Sequence, residues 1–379
     1  MMLFQPIGDQ AQWLAQELTP VAKRVRSVWS RWGRTLEALA ATAPVQRLRC
    51  IGQLNEKRST VDLVGTRGTS SAAVVTRPVA RITRFDHSRA VSARAMTFAC
   101  ATDDDDHAVV TAAAAGLLHD VGHPPFSHTL EHAIRRFAPF DHEHAGIAAV
   151  RASDDIRHIL AEAQIDVEDV IALIEERGGA GIRQSIADTA TYLWHDALAA
   201  GFPISPTADP ALLASLMRCD AQHLHVRGPG VFSHLLARRA KQYAEFYQHP
   251  YNRLLMLLIV ELATAAHEAR CLDLVNITSQ RDEDLWKGLR AFAAEGPTWA
   301  RSAMGIVAGE VTDLSDWDVQ HADRAPDEEI VFASRPIDYT RKRLELVLPD
   351  GTHKILRASP TLRPVHHTQW LIARYVGAP

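Results

Sequence analysis

The sequence predicts a mainly α protein, a large helical core followed by a smaller C-terminal α+β lobe that contains a β-hairpin. Two observations carry this. Apolar residues recur at helical spacing through most of the first 300 positions, and beyond Pro326 the period drops to two, with alternating runs at 329–333 and 344–348. The second run meets Pro349-Asp350-Gly351 and then 353–357, and an Asp-Gly turn between alternating segments is a strong hairpin signal. The length of 379 residues divides accordingly into a helical segment at 1–43, a main domain at 44–300 and the lobe at 301–379.

The elements follow in order. Between 20 and 42, Val21, Val25, Val28, Trp32, Leu36 and Leu39 form one stripe of an amphipathic helix. Lys23, Arg24, Arg26, Arg31 and Arg34 share the segment with Trp29 and Trp32. They read as a solvated basic face rather than a nucleic-acid patch, because the chain as a whole is acidic. Residues 55–83, rich in Gly, Ser and Thr, are too many for an ordinary connection and predict either a functional loop or a hairpin. Helical pattern resumes at Asp86, with interruptions at 178–181, 203–210 and 228–230. The stretch 108–119 carries Thr111 as its one polar residue before the last turn and predicts a buried helix. The four acids at 103–106 complement the dipole at its start. A last amphipathic piece at 366–375 reads as a helix.

Composition bounds the function. With 41 Lys+Arg against 45 Asp+Glu, net charge −4 and 47% hydrophobic residues, the chain is neither disordered nor coated for broad nucleic-acid binding. The most apolar stretch, 254–266, contains Glu261 and falls short of the roughly 20 residues a spanning helix needs, so a buried helix and no membrane partner are expected. The N-terminal residues show no secretory pattern. Cys50, Cys100, Cys219 and Cys271 stand far apart, which argues against a zinc knuckle or disulfide framework and fits a reducing cytoplasm.

Histidine is the outlier, at 19 residues. The densest group is HDVGHPPFSHTLEH at 119–132, preceded by Arg84-Phe85-Asp86-His87 and followed by Asp141-His142-Glu143-His144. Imidazoles interleaved with carboxylates suit divalent metals such as Mn, Fe, Zn or, with more oxygen ligands, Mg. His119 and Asp120 end a buried helix and need partners there, which a metal ion supplies to both. His128 and Glu131, three apart on the next helix, form either an acid/base pair or a plain surface pair. Asp188, Tyr192 and Asp196 share one helical face, which lines a pocket or faces solvent.

These motifs, in this order, resemble the HD-domain metal phosphohydrolases. Their greatest similarity is to the deoxynucleoside triphosphate triphosphohydrolases, both the bacterial dGTPase type and the mammalian type that joins a sterile alpha motif to an HD domain. QRLRCIGQL at 46–54 resembles the family's QRLRxIxQL, RFDHS at 84–88 its RFxHS, and HDVGHPPFSH its HDxGHxPFSH. Asp188, Tyr192 and Asp196 resemble DxxxYxxxD, and Tyr247-Gln248-His249 resembles YQH. The resemblance implies that the helical core is an HD domain. His87, His119, Asp120 and Asp188 would then ligate one divalent metal (Mn, Fe, Mg or Zn). It further implies that His128, oriented by Glu131, protonates the leaving 5′ oxygen while His123 and His142 contact phosphates. Arg84 and Arg239 would hold the phosphate chain, Gln53 and Asp196 the sugar 3′ hydroxyl, and Tyr192 would lie against the sugar's 2′ carbon. Tyr247, with Leu54 and Gln248, would complete the substrate wall. The implied partners are a dNTP substrate, a nucleotide activator and further copies of the chain in a homo-oligomer.

The chain departs from that pattern at Thr189, where the mammalian type has a phosphate-binding lysine, and in the length of residues 55–83. Both departures favour the alternative, an HD nucleotidase or phosphodiesterase acting on nucleoside monophosphates or cyclic nucleotides. An inactive nucleotide sensor would not need the four ligands and His128.

Overall fold

The first helix, α1 (Asp9–Ala41), buries Val28, Trp32, Leu36 and Leu39, as its apolar stripe requires. On its basic face Arg24 and Arg31 lie 3.9 and 3.7 Å from Asp106, while Trp29 stays half exposed. The computed structural model describes residues 9–62, 74–102, 105–202, 209–311, 314, 316–322, 332–334, 343–357 and 370–376.

After α2 (Ala43–Arg47) comes an antiparallel pair, β1 (Arg58–Asp62) with β2 (Val74–Pro78), Arg58 standing opposite Pro78. Of the two readings open for 55–83, these strands select the hairpin; positions 63–73 lie outside the described residues. Helix α3 (Arg84–Ala101) starts two residues before Asp86 because Thr83 and Asp86 form a capping box, each side chain accepting from the other's backbone N–H. Helix α4 (Asp106–Leu118) is capped by Asp105, whose carboxylate accepts from Ala108 N at 2.8 Å; residues 103 and 104 lie outside the described residues. Its Val, Ala and Leu side chains are buried, as predicted.

Four short helices come next: α5 (His128–Ile134), α6 (His142–Ala152), α7 (Asp154–Glu162) and α8 (Val167–Ile174). The long helix α9 (Gly178–Ala200) begins where the sequence suggested an interruption. Its glycines also mark a close approach: a Cβ on Gly179 would stand 2.1 Å from the His223 carbonyl oxygen. Likewise α10 (Pro210–Leu216) opens at the end of the 203–210 break, of which 203–208 are outside the described residues. Helix α11 (Pro229–Gln242) then starts inside the break at 228–230.

Between these helices lies a hairpin the sequence did not suggest, β3 (Met217–Cys219) with β4 (Leu224–Val226). A π-helical turn, Tyr243–Tyr247, leads into α12 (Pro250–Glu268), whose buried leucines bear out the expected core helix. Helices α13 (Asp282–Glu295) and α14 (Thr298–Ala308) follow, the latter running through position 300.

The lobe strands are β5 (Trp317–Ala322), β6 (Phe332–Ser334), β7 (Arg343–Val347), β8 (His353–Arg357) and β9 (Trp370–Tyr375). Strands β7 and β8 form the predicted Asp-Gly hairpin, and β4 joins it in parallel through His225 and Val347, so one sheet runs β3-β4-β7-β8. The other lobe sheet runs β5-β9-β6. Here the expectation fails: 370–375 is a central strand, not a helix. Leu371 and Ala373 alternate into the core, and antiparallel neighbours on both sides satisfy its backbone. Trp370, Ile372 and Tyr375 also favour strand, and in so short a segment helical spacing does not outweigh that. Positions 366–369 are outside the described residues.

Two apolar cores result. One joins α1 to α4 with α6 to α11, and the second packs α5 against α12, α13, α14, β5 and β9. Among the described residues no helix is long and apolar enough to cross a membrane.

Candidate active site

A cleft of about 380 Å³ opens between the two cores. Of the sixteen site residues read from the sequence, fifteen line it: Gln53, Leu54, Arg84, His87, His119, Asp120, His123, His128, His142, Asp188, Tyr192, Asp196, Arg239, Tyr247 and Gln248. The sixteenth, Glu131, is buried behind His128.

Three helices supply the first group. His87 sits near the start of α3, His119 at the C-terminal cap of α4 with Asp120 next to it, and Asp188 midway along α9. His119 Nδ1 donates to the Gly116 carbonyl at 2.9 Å, which fixes the tautomer and leaves Nε2 for the cleft. That Nε2 lies 3.2 Å from Asp120 Oδ1 and 3.7 Å from Asp188 Oδ1. His87 Nε2 lies 3.0 Å from Asp188 Oδ1 and 3.8 Å from Asp120 Oδ2. Two imidazole nitrogens and two carboxylates thus converge, and the ligand atoms of His87, His119 and Asp188 fall within 4.8 Å of one another. The donor set fits a divalent metal, and His87 Nδ1 is buried with no protein partner, so the ring is held by what its other nitrogen binds.

Burial works against ionisation of Asp120, but the charges of His119, Arg84 and His123 outweigh it and hold the carboxyl well below the usual range. Asp188 is lowered in the same way: burial opposes, while His87 and His119 prevail. Both carboxylates are therefore ready as anionic ligands at neutral pH. Arg84 completes this group, donating to Asp120 Oδ2 at 2.9 Å and to Ser127 Oγ at 3.0 Å.

The second group stands on α5 and α6. His128 Nδ1 is 2.9 Å from Glu131 Oε1, and His142 Nδ1 is 3.0 Å from the same oxygen. Despite its burial, the Glu131 carboxyl is lowered by His128, whose Nδ1 donates to it, and by the close His142 ring. Arg135 holds the other oxygen at 2.6 Å. The cleft walls strip hydration from His128 and lower its pKa, although its ring remains largely accessible. In His142 the same effect is overcome by Glu131, and the net shift is upward.

The third group closes the far end. Tyr247 donates its hydroxyl to Asp196, Gln242 Nε2 donates to Tyr247 at 3.1 Å, and Arg239 Nε donates to the Tyr192 hydroxyl at 2.7 Å. Burial pushes the Asp196 carboxyl up to about 6, against the pull of the Tyr247 hydrogen bond. Its Oδ1 and the Gln53 Oε1 are buried without a protein partner.

Sequence reading missed several cleft residues. Glu56, 2% exposed, accepts from Thr129 Oγ1 at 2.6 Å and pairs with Lys57; the two stand just beyond Gln53 and Leu54, after Asn55. Gln184 lies one turn before Asp188 on the face already identified, and helical spacing alone would have found it. Tyr243 lies one turn before Tyr247, across the π-helical turn, and i,i+4 spacing would have found it too.

Comparison with known proteins agrees with this construction. Residues 84–217, which contain the first two groups and the Tyr192 and Asp196 end of α9, match the HD-domain family model. An uncharacterized protein of Methanocaldococcus jannaschii is 26% identical over 221 residues, 56% of this chain and 46% of that protein, so the chain spans about half the length of this relative. Among solved structures, a phosphohydrolase of Bacteroides thetaiotaomicron superposes with TM-score 0.64 at 16% identity, covering 90% of this chain and 95% of the other. A hypothetical protein from Aquifex aeolicus gives TM-score 0.62 at 19% identity, with 90% and 92% covered. At those identities the likeness is one of fold. The helices that bring the histidines and aspartates together lie within the stretch, 84–217, that matches the HD-domain model.

Proposed function

We propose that this chain is a metal-dependent phosphohydrolase that cleaves deoxynucleoside triphosphates to deoxynucleoside and inorganic triphosphate. The observation that carries the reading is the opening of the His87, His119, Asp120 and Asp188 group and the His128–Glu131 pair onto one cleft, whose other end is walled by Tyr192 and Asp196. The first four side chains would hold a divalent ion, which would lower the pKa of water and offset charge on a phosphoryl group.

The chain's own residues supply the rest. Water adds to the α-phosphorus, the bond from that phosphorus to the 5′ oxygen breaks, and His128 Nε2 delivers the proton that the leaving oxygen needs. Glu131 holds Nδ1 so that Nε2 faces the cleft and stabilises the imidazolium. An anion in the cleft opposes the lowering of the His128 pKa by burial and so favours the charged acid. His142, raised by Glu131, adds positive charge beside the phosphates. Tyr192, Asp196 and Gln53 meet the sugar, with Asp196 Oδ1 as an unpartnered acceptor for its 3′ hydroxyl and the Gln53 amide beside it.

The test is incubation of metal-loaded protein with each of the four dNTPs, with and without added nucleotide as activator, followed by product identification. Release of triphosphate supports the reading, and its absence for all four overturns it. A second reading rests on Thr189, a buried neutral residue in the cleft wall, with Glu143 and Glu176 also lining it: these suit a monophosphate or diester better than a long polyanion. Orthophosphate release from nucleoside monophosphates, faster than triphosphate release from dNTPs, would favour it.

A further inference from the structure

Asp282, the first residue of α13, lies more than 150 positions beyond the residues it holds. It is 8% exposed, and its two carboxylate oxygens are spent on two backbone amides: Oδ1 accepts from Phe126 N at 2.9 Å and Oδ2 from Gly52 N at 2.7 Å. Gly52 immediately precedes Gln53. Phe126 and Ser127 immediately precede His128, and both have φ in the left-handed region, 55° and 52°, where side chains other than glycine's are strained. Two consecutive residues of this kind persist only when their surroundings fix them. Ser127 Oγ also donates to the Gly52 carbonyl at 3.0 Å and accepts from Arg84 Nε, so the two turns are bonded to each other as well as to Asp282.

We propose that Asp282 is a positioning residue that holds the Gln53 turn and the strained Phe126-Ser127 turn in register, setting Gln53 and His128 in the cleft together. It touches neither substrate nor metal ligands. A bidentate carboxylate suits this because one rigid group fixes two N–H vectors at once, and misplacing an acid by about 1 Å costs as much as 10²-fold in rate. The catalytic part of the inference rests on the hydrolase reading above; the structural part does not.

The experiment compares wild type with Asp282→Asn, nearly isosteric but offering one acceptor in place of two, and with Leu289→Ala. Leu289 is a fully buried residue of the same helix, and this change loosens α13 while leaving both Asp282 hydrogen bonds in place. Three quantities are read: metal content, kcat and KM with the best nucleotide substrate, and hydrogen exchange at the Gly52 and Phe126 amides. In Asp282→Asn both amides exchange about tenfold faster or more, kcat falls about tenfold with metal content unchanged, and Leu289→Ala shows neither effect. Wild-type exchange and kcat in Asp282→Asn, or equal effects in Leu289→Ala, would overturn the proposal. If wild type hydrolyses no nucleotide, the hydrolase reading fails by itself, and the two amides still decide whether Asp282 holds the turns.

Discussion

His123 and His142 stack face to face, with ring centroids 3.9 Å apart and planes 12° from parallel. Together with His128 and Glu131 they form a second cluster close enough to hold a metal. Stacked imidazoles, however, direct their in-plane lone pairs along parallel planes and cannot both aim at one ion. The proposed roles follow from this: phosphate and proton handling for the cluster, and the ion at His87, His119, Asp120 and Asp188. Substituting His142 by alanine should leave bound metal at the wild-type stoichiometry and lower turnover about 10–100-fold. Metal analysis alongside kinetics checks this, and loss of a metal equivalent would contradict it.

The buried Glu131 carboxylate makes a separable prediction. His128→Gln removes the acid and should lower kcat about 10²–10⁴-fold. Glu131→Gln leaves the ring in place but ends its charge stabilisation, so a smaller fall is expected with KM and metal content little changed. Equal kcat in Glu131→Gln and wild type would remove the pair from the chemistry.

Asp196 gives a pH signature in stability. Its folded pKa of about 6 lies above the unfolded value of 3.8, so the folded chain keeps a proton that the unfolded chain releases in between. Its contribution is fully present below pH about 4 and is lost as pH rises through 6, to the extent of about 3 kcal/mol. Asp196→Asn does not titrate. Denaturation midpoints for the two proteins should therefore diverge between pH 4.5 and 7, with wild type losing more stability; parallel profiles would contradict the assignment.

Gly122 permits the approach of the loop after Asp120 to α6. A Cβ there would lie 2.1 Å from the His142 carbonyl oxygen and 2.2 Å from Gly146 N, both backbone atoms that cannot swing aside. Gly122→Ala should cost about 1–3 kcal/mol and displace His142, lowering both melting temperature and turnover. Gly230→Ala, with nothing within 4 Å of the added carbon, is the control and should be near neutral in both.

Much of this site was legible in the sequence because its residues sit on helices at fixed spacing. His128 with Glu131, and Asp188 with Tyr192 and Asp196, share faces by periodicity alone, and the buried helix ending in His119 announced itself through its alanines. Other features depended on partners distant in the chain. The β3-β4 hairpin is three residues a side and completes its sheet only with β7, more than 100 positions later. The last strand resembled a helix until β5 and β6 were there to pair with it. Asp282 has no local signal at all, since its two partners lie in separate turns. The glycines at 178–181 signalled the break that ends just before them, but not the contact of Gly178 and Gly179 with the 220–223 turn.

The most direct measurement is product identification from metal-loaded protein supplied with each dNTP, run beside Asp120→Ala, which removes a proposed ligand while leaving the sugar end of the cleft intact. The account predicts deoxynucleoside and inorganic triphosphate from wild type and neither from Asp120→Ala. Metal-loaded wild type that releases no triphosphate from any of the four, with or without added nucleotide activator, would contradict it.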